Sequence, residues 1–357
     1  MDLTDPNPGH SPSSDAVVAE GPPPSGRGGF AHLARLTDPG GVRERPEVGG
    51  FAAPGYRTTD AARALILVLH EYLDSPRIAL TSVTYLAFLE QAVGPDGLAY
   101  ERLTPHRHWS DKPDRTEVWG RCVAALGTAA RMGTSKVTRD RAIKTFLRAA
   151  KARPSDARAA ALAALGAVAL VRSRTDASGV ARSLLSDCLD VIPRQPKPGW
   201  AWPEERLVHN NAALCDALIV GGAALGRAVP IRQGLSMLTM LMETETSERG
   251  HLSPTGDLGR SAHDSGPCGR QRPADVAAIA DACAHAFAVT GDLHWRRGVW
   301  LAWKWFLGMN DLGVRVYDPE TGIANDALLL TAQPGGSGAE ATLAALSTMQ
   351  RTRDVGA

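Results

Sequence analysis

The sequence predicts an all-α protein, an (α/α)6 toroid of about twelve helices arranged as six helical hairpins. Three observations lead there. From Phe30 onward apolar residues recur at helical spacing in one segment after another, while strand-like alternation is rare. The segments number about twelve, and helices of roughly 15 residues run roughly 22 Å, the thickness of a small domain. Their connections are alternately short and long, and the long ones carry the aromatic and charged residues. Six hairpins of this kind can close into a ring, with inner helices lining a funnel and outer helices shielding them.

Residues 1–28 are rich in Pro, Gly, Ser and Asp and run into GPPPSGRGG. Such a stretch buries too little apolar surface to offset its ordering entropy, so a disordered tail is expected there and the barrel over 29–357. A short helix is expected near 30–37. Helices follow near 58–72, 76–93, 115–131, 138–151, 155–172, 177–191, 209–226, 231–246, 273–290, 292–308 and 338–351. In TTDAARALILVLHEYL, Asp60 lies in the first turn, where a carboxylate meets the positive end of the helix dipole. Ala61, Ala64, Leu65, Val68 and Leu69 then recur at helical spacing. DARAAALAALGAVALVRS is apolar nearly all round, as a helix packed on both sides requires. The stretch from Asp311 to Asp326 reads as a strand-turn excursion, and Gly335-Gly336-Ser337-Gly338 as a flexible loop before the last helix.

Composition narrows the function. Apolar residues make up 44% of the chain, enough for a substantial core, and 39 basic residues nearly balance 38 acidic ones. No field favours nucleic acid or an anionic membrane surface. No run of ~18 apolar residues offers a membrane span, and the N-terminus lacks the basic start and apolar run of a signal peptide, so a cytoplasmic location is expected. The five cysteines are scattered, without a CxxC pair, and read as reduced, buried thiols. His106 and His108 form an HxH pair without a third ligand, and no phosphate-cradling glycine motif is present. Neither a metal nor another cofactor is expected.

Five segments mix carboxylates, arginines and aromatic rings at helix ends. They hold Tyr56, Asp60 and Arg63; Trp109, Asp111, Glu117 and Arg121; Trp200, Trp202, Glu204 and Asn211; His251, Gln271 and Asp275; and Glu340. Sugar sites use this chemistry, because aromatic faces stack on the apolar face of a pyranose while carboxylates, amides and Arg bond its hydroxyls. Hydrolysis further needs two carboxyl groups, ~5 Å apart for retention or ~6.5–9.5 Å for inversion. Glu204, after Trp200-Ala201-Trp202-Pro203, is the first choice for one; Glu117, Asp60 and Asp275 lead for the other, with Asp111 and Glu340 behind them. Ordinary roles compete with each. Asp60 and Asp275 can serve helix N-termini, Glu117 and Arg121 can pair within one helix, the two tryptophans can pack the core, and His251 can be structural.

At these motifs the chain resembles a family of bacterial helical-barrel proteins related to the six-hairpin glycosidase superfamily. The resemblance runs from FAHLARLTDPGGVRER through YRTTDAARAL, WGRCVAALG, WAWPEERLVHNNAAL, GHLSP and WKWFLGMNDLGVRVYDPETG to GAEATLAALSTMQ. It implies a carbohydrate-active protein of glycoside hydrolase type, with a sugar or glycan as partner. Members occur alone or behind a glycosyltransferase domain, which implies an alternative: a non-catalytic glycan-binding module that accompanies a glycosyltransferase. Two departures favour the alternative. Thr59 stands where a second acid beside Asp60 is expected, and Gly269-Arg270-Gln271-Arg272-Pro273-Ala274-Asp275 replaces an acidic-Gln-Gln-Pro-x-Glu pattern. A sugar epimerase on such a barrel would need a histidine pair, for which His209 and His251 are the couple available.

Overall fold

The computed structural model describes residues 26–45, 55–71, 76–328 and 337–356. Twelve helices are present among them: α1 (Arg27–Leu36), α2 (Thr58–His70), α3 (Pro76–Ala92), α4 (Glu117–Met132), α5 (Lys136–Ala149), α6 (Ala157–Ser173), α7 (Ser178–Val191), α8 (Asn211–Leu225), α9 (Ala228–Thr244), α10 (Pro273–Thr290), α11 (His294–Phe306) and α12 (Ala339–Gly356). Each expected helix is matched within a few residues. Arg27 and Gly28, assigned to the tail by composition, open α1; the tail up to residue 25 lies outside the described residues.

The even-numbered helices form an inner ring. α2 packs on α4, α4 on α6, α6 on α8, α8 on α10, α10 on α12, and α12 returns to α2. That last contact closes the circle and makes the chain an (α/α)6 toroid. The odd-numbered helices lie outside, and α1 covers α12, so the first and last described helices meet. Two short antiparallel pairs decorate the rim: β1 (Thr37–Asp38) with β2 (Gly41–Val42), and β3 (Tyr56–Arg57) with β4 (Arg102–Leu103). The 311–326 excursion reduces to a turn closed by one bridge between Tyr317 and Ala324. Ser337 and Gly338 of the glycine-rich loop are described, and Gly338 N–H donates to Asp326 at 2.6 Å; residues 335–336 lie outside.

Small residues set the ring's diameter. A Cβ on Gly127 of α4 would lie 2.0 Å from the Gly166 carbonyl oxygen of α6, and one on Gly166 would lie 2.1 Å from the Val123 oxygen. These glycines let two inner helices touch backbone to backbone. Inner α8 is buried from Asn211 through Gly222, whereas outer α5 buries only a stripe of five residues. The all-round apolar sequences are therefore the inner staves, as double-sided packing demands. Cys122, Cys188, Cys215 and Cys283 are buried free thiols, and Cys268 is half-buried and free. No described helix is long and apolar enough to cross a membrane.

Candidate active site

The inner helices run parallel, so their N-terminal turns converge on one opening. Residues of α2, α4, α10 and α12 and of the turn that leads into α8 bond one another there, through the Arg63–Glu340, Glu117–His209, Arg121–Asn210 and Asp275–Asn210 contacts. Beneath the opening lies a cavity of about 120 Å³ lined by all six inner helices, with Arg63, Arg121 and Asn210 at its upper wall. Below them the lining is mostly Ala, Leu and Ile.

Asn210 is the hub of the mouth. It precedes α8 in the left-handed conformation, φ 54°, which is uncommon for a residue with a Cβ and best tolerated by Asn and Asp. The turn aims three of its groups at three neighbours. Nδ2 donates to Glu117 Oε2 at 2.6 Å, backbone N–H donates to Asp275 Oδ1 at 2.8 Å, and Oδ1 accepts from Arg121 at 3.4 Å. His209, one residue earlier, bonds Glu117 Oε1 through Nε2, with its side chain 42% exposed. One short turn thus ties α4, α8 and α10 together.

The two carboxyls joined through Asn210 are pushed in opposite directions. Burial would raise Glu117, but the His209 hydrogen bond, Arg121 and the Asn210 amide outweigh it and hold the carboxylate at about 2. Burial raises Asp275, and Arg272 and the Asn210 N–H only partly oppose it. Divergent environments of this kind separate an acid from a base. Two further carboxyls stand at the same mouth. Glu340 is paired with Arg63 at 2.8 Å and Arg272 at 3.2 Å, and Arg63 above all brings it down to about 2. Asp60, 2% exposed, is raised to about 7 by burial against the pull of Arg63, 3.7 Å away; its Oδ1 has no hydrogen-bond partner.

The remaining predicted residues sit elsewhere. Arg158 grips both oxygens of Glu204 at 2.7 and 2.8 Å and donates to the His209 carbonyl, so Glu204 braces the turn that carries the hub. Asn211 Oδ1 accepts from Val208 N–H and Arg158, in the same brace. Trp202 is fully buried, whereas Trp200 is partly buried and packs against the core. Tyr56 donates to Asp38 at 2.8 Å. Trp109 stacks on Tyr100 with ring centres 5.2 Å apart, and Asp111 accepts the N–H groups of Glu101 and Arg102. His251 and Ser253 both bond Asp311 at 2.8 Å, and Gln271 links Asp311 to Trp305, a separate structural knot. The expected His209–His251 couple is not formed by these contacts.

Glu101 and Arg158 are not singled out in the sequence, and Arg272 and Asp311 stand there only within longer motifs. Glu101 accepts the Thr59 N–H at 3.3 Å and the Thr59 hydroxyl at 2.8 Å, serving the start of α2 in place of Asp60. Each of these residues finds its partner across tens of positions, and the local sequence gives no sign of it. Arg158 alone leaves a trace, one turn into a helix whose N-cap, Asp156, is legible.

This ring of six hairpins is an (α/α)6 toroid, a fold shared with solved structures of sugar epimerases and mannanases. No protein-family profile matches the sequence, and no curated protein does. Solved structures do. A sugar epimerase from a ruminal bacterium superposes with TM-score 0.68 at 12% identity, covering 91% of this chain and 96% of its own. Cellobiose 2-epimerase from Bacillus thermoamylovorans gives 0.66 at 12% identity, covering 92% and 98%. An inactive variant of an α-1,6-mannanase from Salegentibacter, in complex with α-1,6-mannotetrose, gives 0.62 at 11%, covering 92% and 98%. At such identities the likeness is one of fold.

Proposed function

We propose that the chain acts on a sugar or glycan held at the mouth, by acid–base chemistry of the glycoside hydrolase type. One observation carries the reading: Glu117 and Asp275 are joined through Asn210 and driven to opposite protonation preferences. Asp275 protonates the leaving oxygen as the glycosidic bond breaks, ionised Glu117 stabilises or bonds the anomeric carbon, and water then takes that carbon and returns a proton to Asp275. The sugar epimerase and the α-1,6-mannanase among the solved neighbours support the substrate class, and a concave mouth with convergent polar groups is a common form of ligand site. Glu204 enters as a positioning residue, through Arg158 and the His209 carbonyl.

A second reading rests on the His209–Glu117 contact. A ring held by a carboxylate at Nε2 offers Nδ1 as a base, which suits proton abstraction beside a sugar carbonyl. The epimerases among the neighbours favour it. Isotopic water separates the readings. Turnover of a glycan panel in H2(18)O should place one heavy oxygen at a newly formed reducing end. Deuterium fixed from D2O at carbon, the C–H bond exchanged and the glycosidic bond intact, would replace hydrolysis with epimerisation, and glycan binding without any product would leave a binding module.

A further inference from the structure

We propose that the sugar received at the mouth carries an acidic group, a carboxylate or a phosphate, and that Arg121 together with Arg63 receives it. The inference rests on the sugar-site reading above and names its substrate class. Arg121 and Arg63 face the same central cavity from neighbouring inner helices. Arg63 is matched by Glu340 at 2.8 Å. Arg121 is matched loosely: its side chain is 13% exposed, yet its contacts are Glu117 at 3.9 Å and Asn210 Oδ1 at 3.4 Å. Glu117 is already engaged by His209 and the Asn210 amide.

A guanidinium withdrawn from water and held only by long contacts is costly. Burial, and then the neighbouring Arg63, bring Arg121 down to about 10. An anion between the two arginines would make short, charge-assisted, bidentate bonds to a planar donor fork and relieve their mutual repulsion. The converging N-termini of the inner helices add positive potential at the same opening. Deeper in the cavity, Asp281 is matched by Arg351 at 2.6 Å and Asp216 is bonded to His285 at 2.8 Å.

Calorimetric titration with a matched panel tests it: neutral monosaccharides, their uronates and their 6-phosphates, with inorganic phosphate as the sugar-free control. At least one acidic series is expected to bind tenfold or more tightly than its neutral parent. That gap, measured against the neutral parent on the same variant, should collapse in Arg121→Gln; the two acidic arms tell carboxylate from phosphate. Arg63→Gln repeats the test should the first variant fail to fold, as read by circular dichroism. Equal binding of neutral and acidic sugars overturns the inference and leaves the sugar site standing. Inorganic phosphate binding with no gain from the sugar reduces the feature to an anion site and overturns it, and failure of every sugar to bind overturns both.

Discussion

Glu117 and Asp275, on helices that are not neighbours in the inner ring, are bridged by a single residue: Asn210 gives its amide to one and its backbone N–H to the other. The bridge depends on a left-handed backbone, because only that turn lets one residue point both donors at α4 and α10.

The cost of that turn can be isolated. Asn210→Ala and Asn210→Gly delete the same side-chain bonds, but only Gly adopts positive φ freely. Asn210→Gly should be the more stable of the two by about 1 kcal/mol in denaturant titration. Equal stabilities would mean that the turn relaxes once the side chain is gone.

Glu204 should matter for stability as well as activity. Glu204→Gln removes the carboxylate from Arg158, whose side chain is 11% exposed, and should cost about 2–3 kcal/mol in urea unfolding. Burial raises the Glu204 carboxyl, but Arg158 more than reverses this and holds it below its ordinary range. Its contribution is therefore present above the unfolded-state pKa and disappears as pH falls through the folded one, and the deficit of the variant should shrink in acid. A deficit independent of pH would show that the pair does not carry it.

Two glycines should respond with opposite signs. Gly166→Ala puts a methyl 2.1 Å from the Val123 oxygen and should lose about 1–3 kcal/mol by wedging α4 from α6. A Cβ at Gly179 on outer α7 meets nothing within 4 Å, and Gly179→Ala should gain about 0.5–1 kcal/mol from helix propensity. Melting curves of the two variants decide it, and loss at both sites would place the close approach elsewhere.

Stability should peak on the acid side of neutrality. Glu117 and Glu340, held at about 2, stabilise the fold above the unfolded value near 4.5 and lose that contribution as pH falls towards 2. Asp60 and Glu245, raised by burial to about 7, act in reverse. Between their unfolded values and about 7 the unfolded chain ionises first, so rising pH erodes stability. Asp60→Asn should flatten the slope of unfolding free energy between about pH 4.5 and 7. A slope unchanged by the substitution would remove Asp60 as its source.

The ring is legible in the sequence because alternate helices differ in kind. DARAAALAALGAVALVRS can only be packed on both sides, while LysVal-led α5 shows one apolar stripe among charges. Since inner helices are parallel, charged residues in their first turns must share one rim, which is why Asp60, Arg63, Glu117, Arg121, Asp275 and Glu340 meet. The loop segment around Trp200 and Trp202 is less readable. Periodicity says nothing about which way a side chain points from irregular backbone, and Trp202 turns inward, donating its indole N–H to Glu204 at 3.3 Å. Nor can spacing reveal that Glu204 meets Arg158, 46 positions earlier.

The most direct test of the central claim compares the wild type with Glu117→Gln and Asp275→Asn over one glycan panel, reading binding and product by mass spectrometry in the same wells. The wild type should yield a product, both variants should lose roughly 10²-fold or more of it, and glycan binding should be retained. Undiminished product in both variants would contradict the assignment of acid and base to this pair.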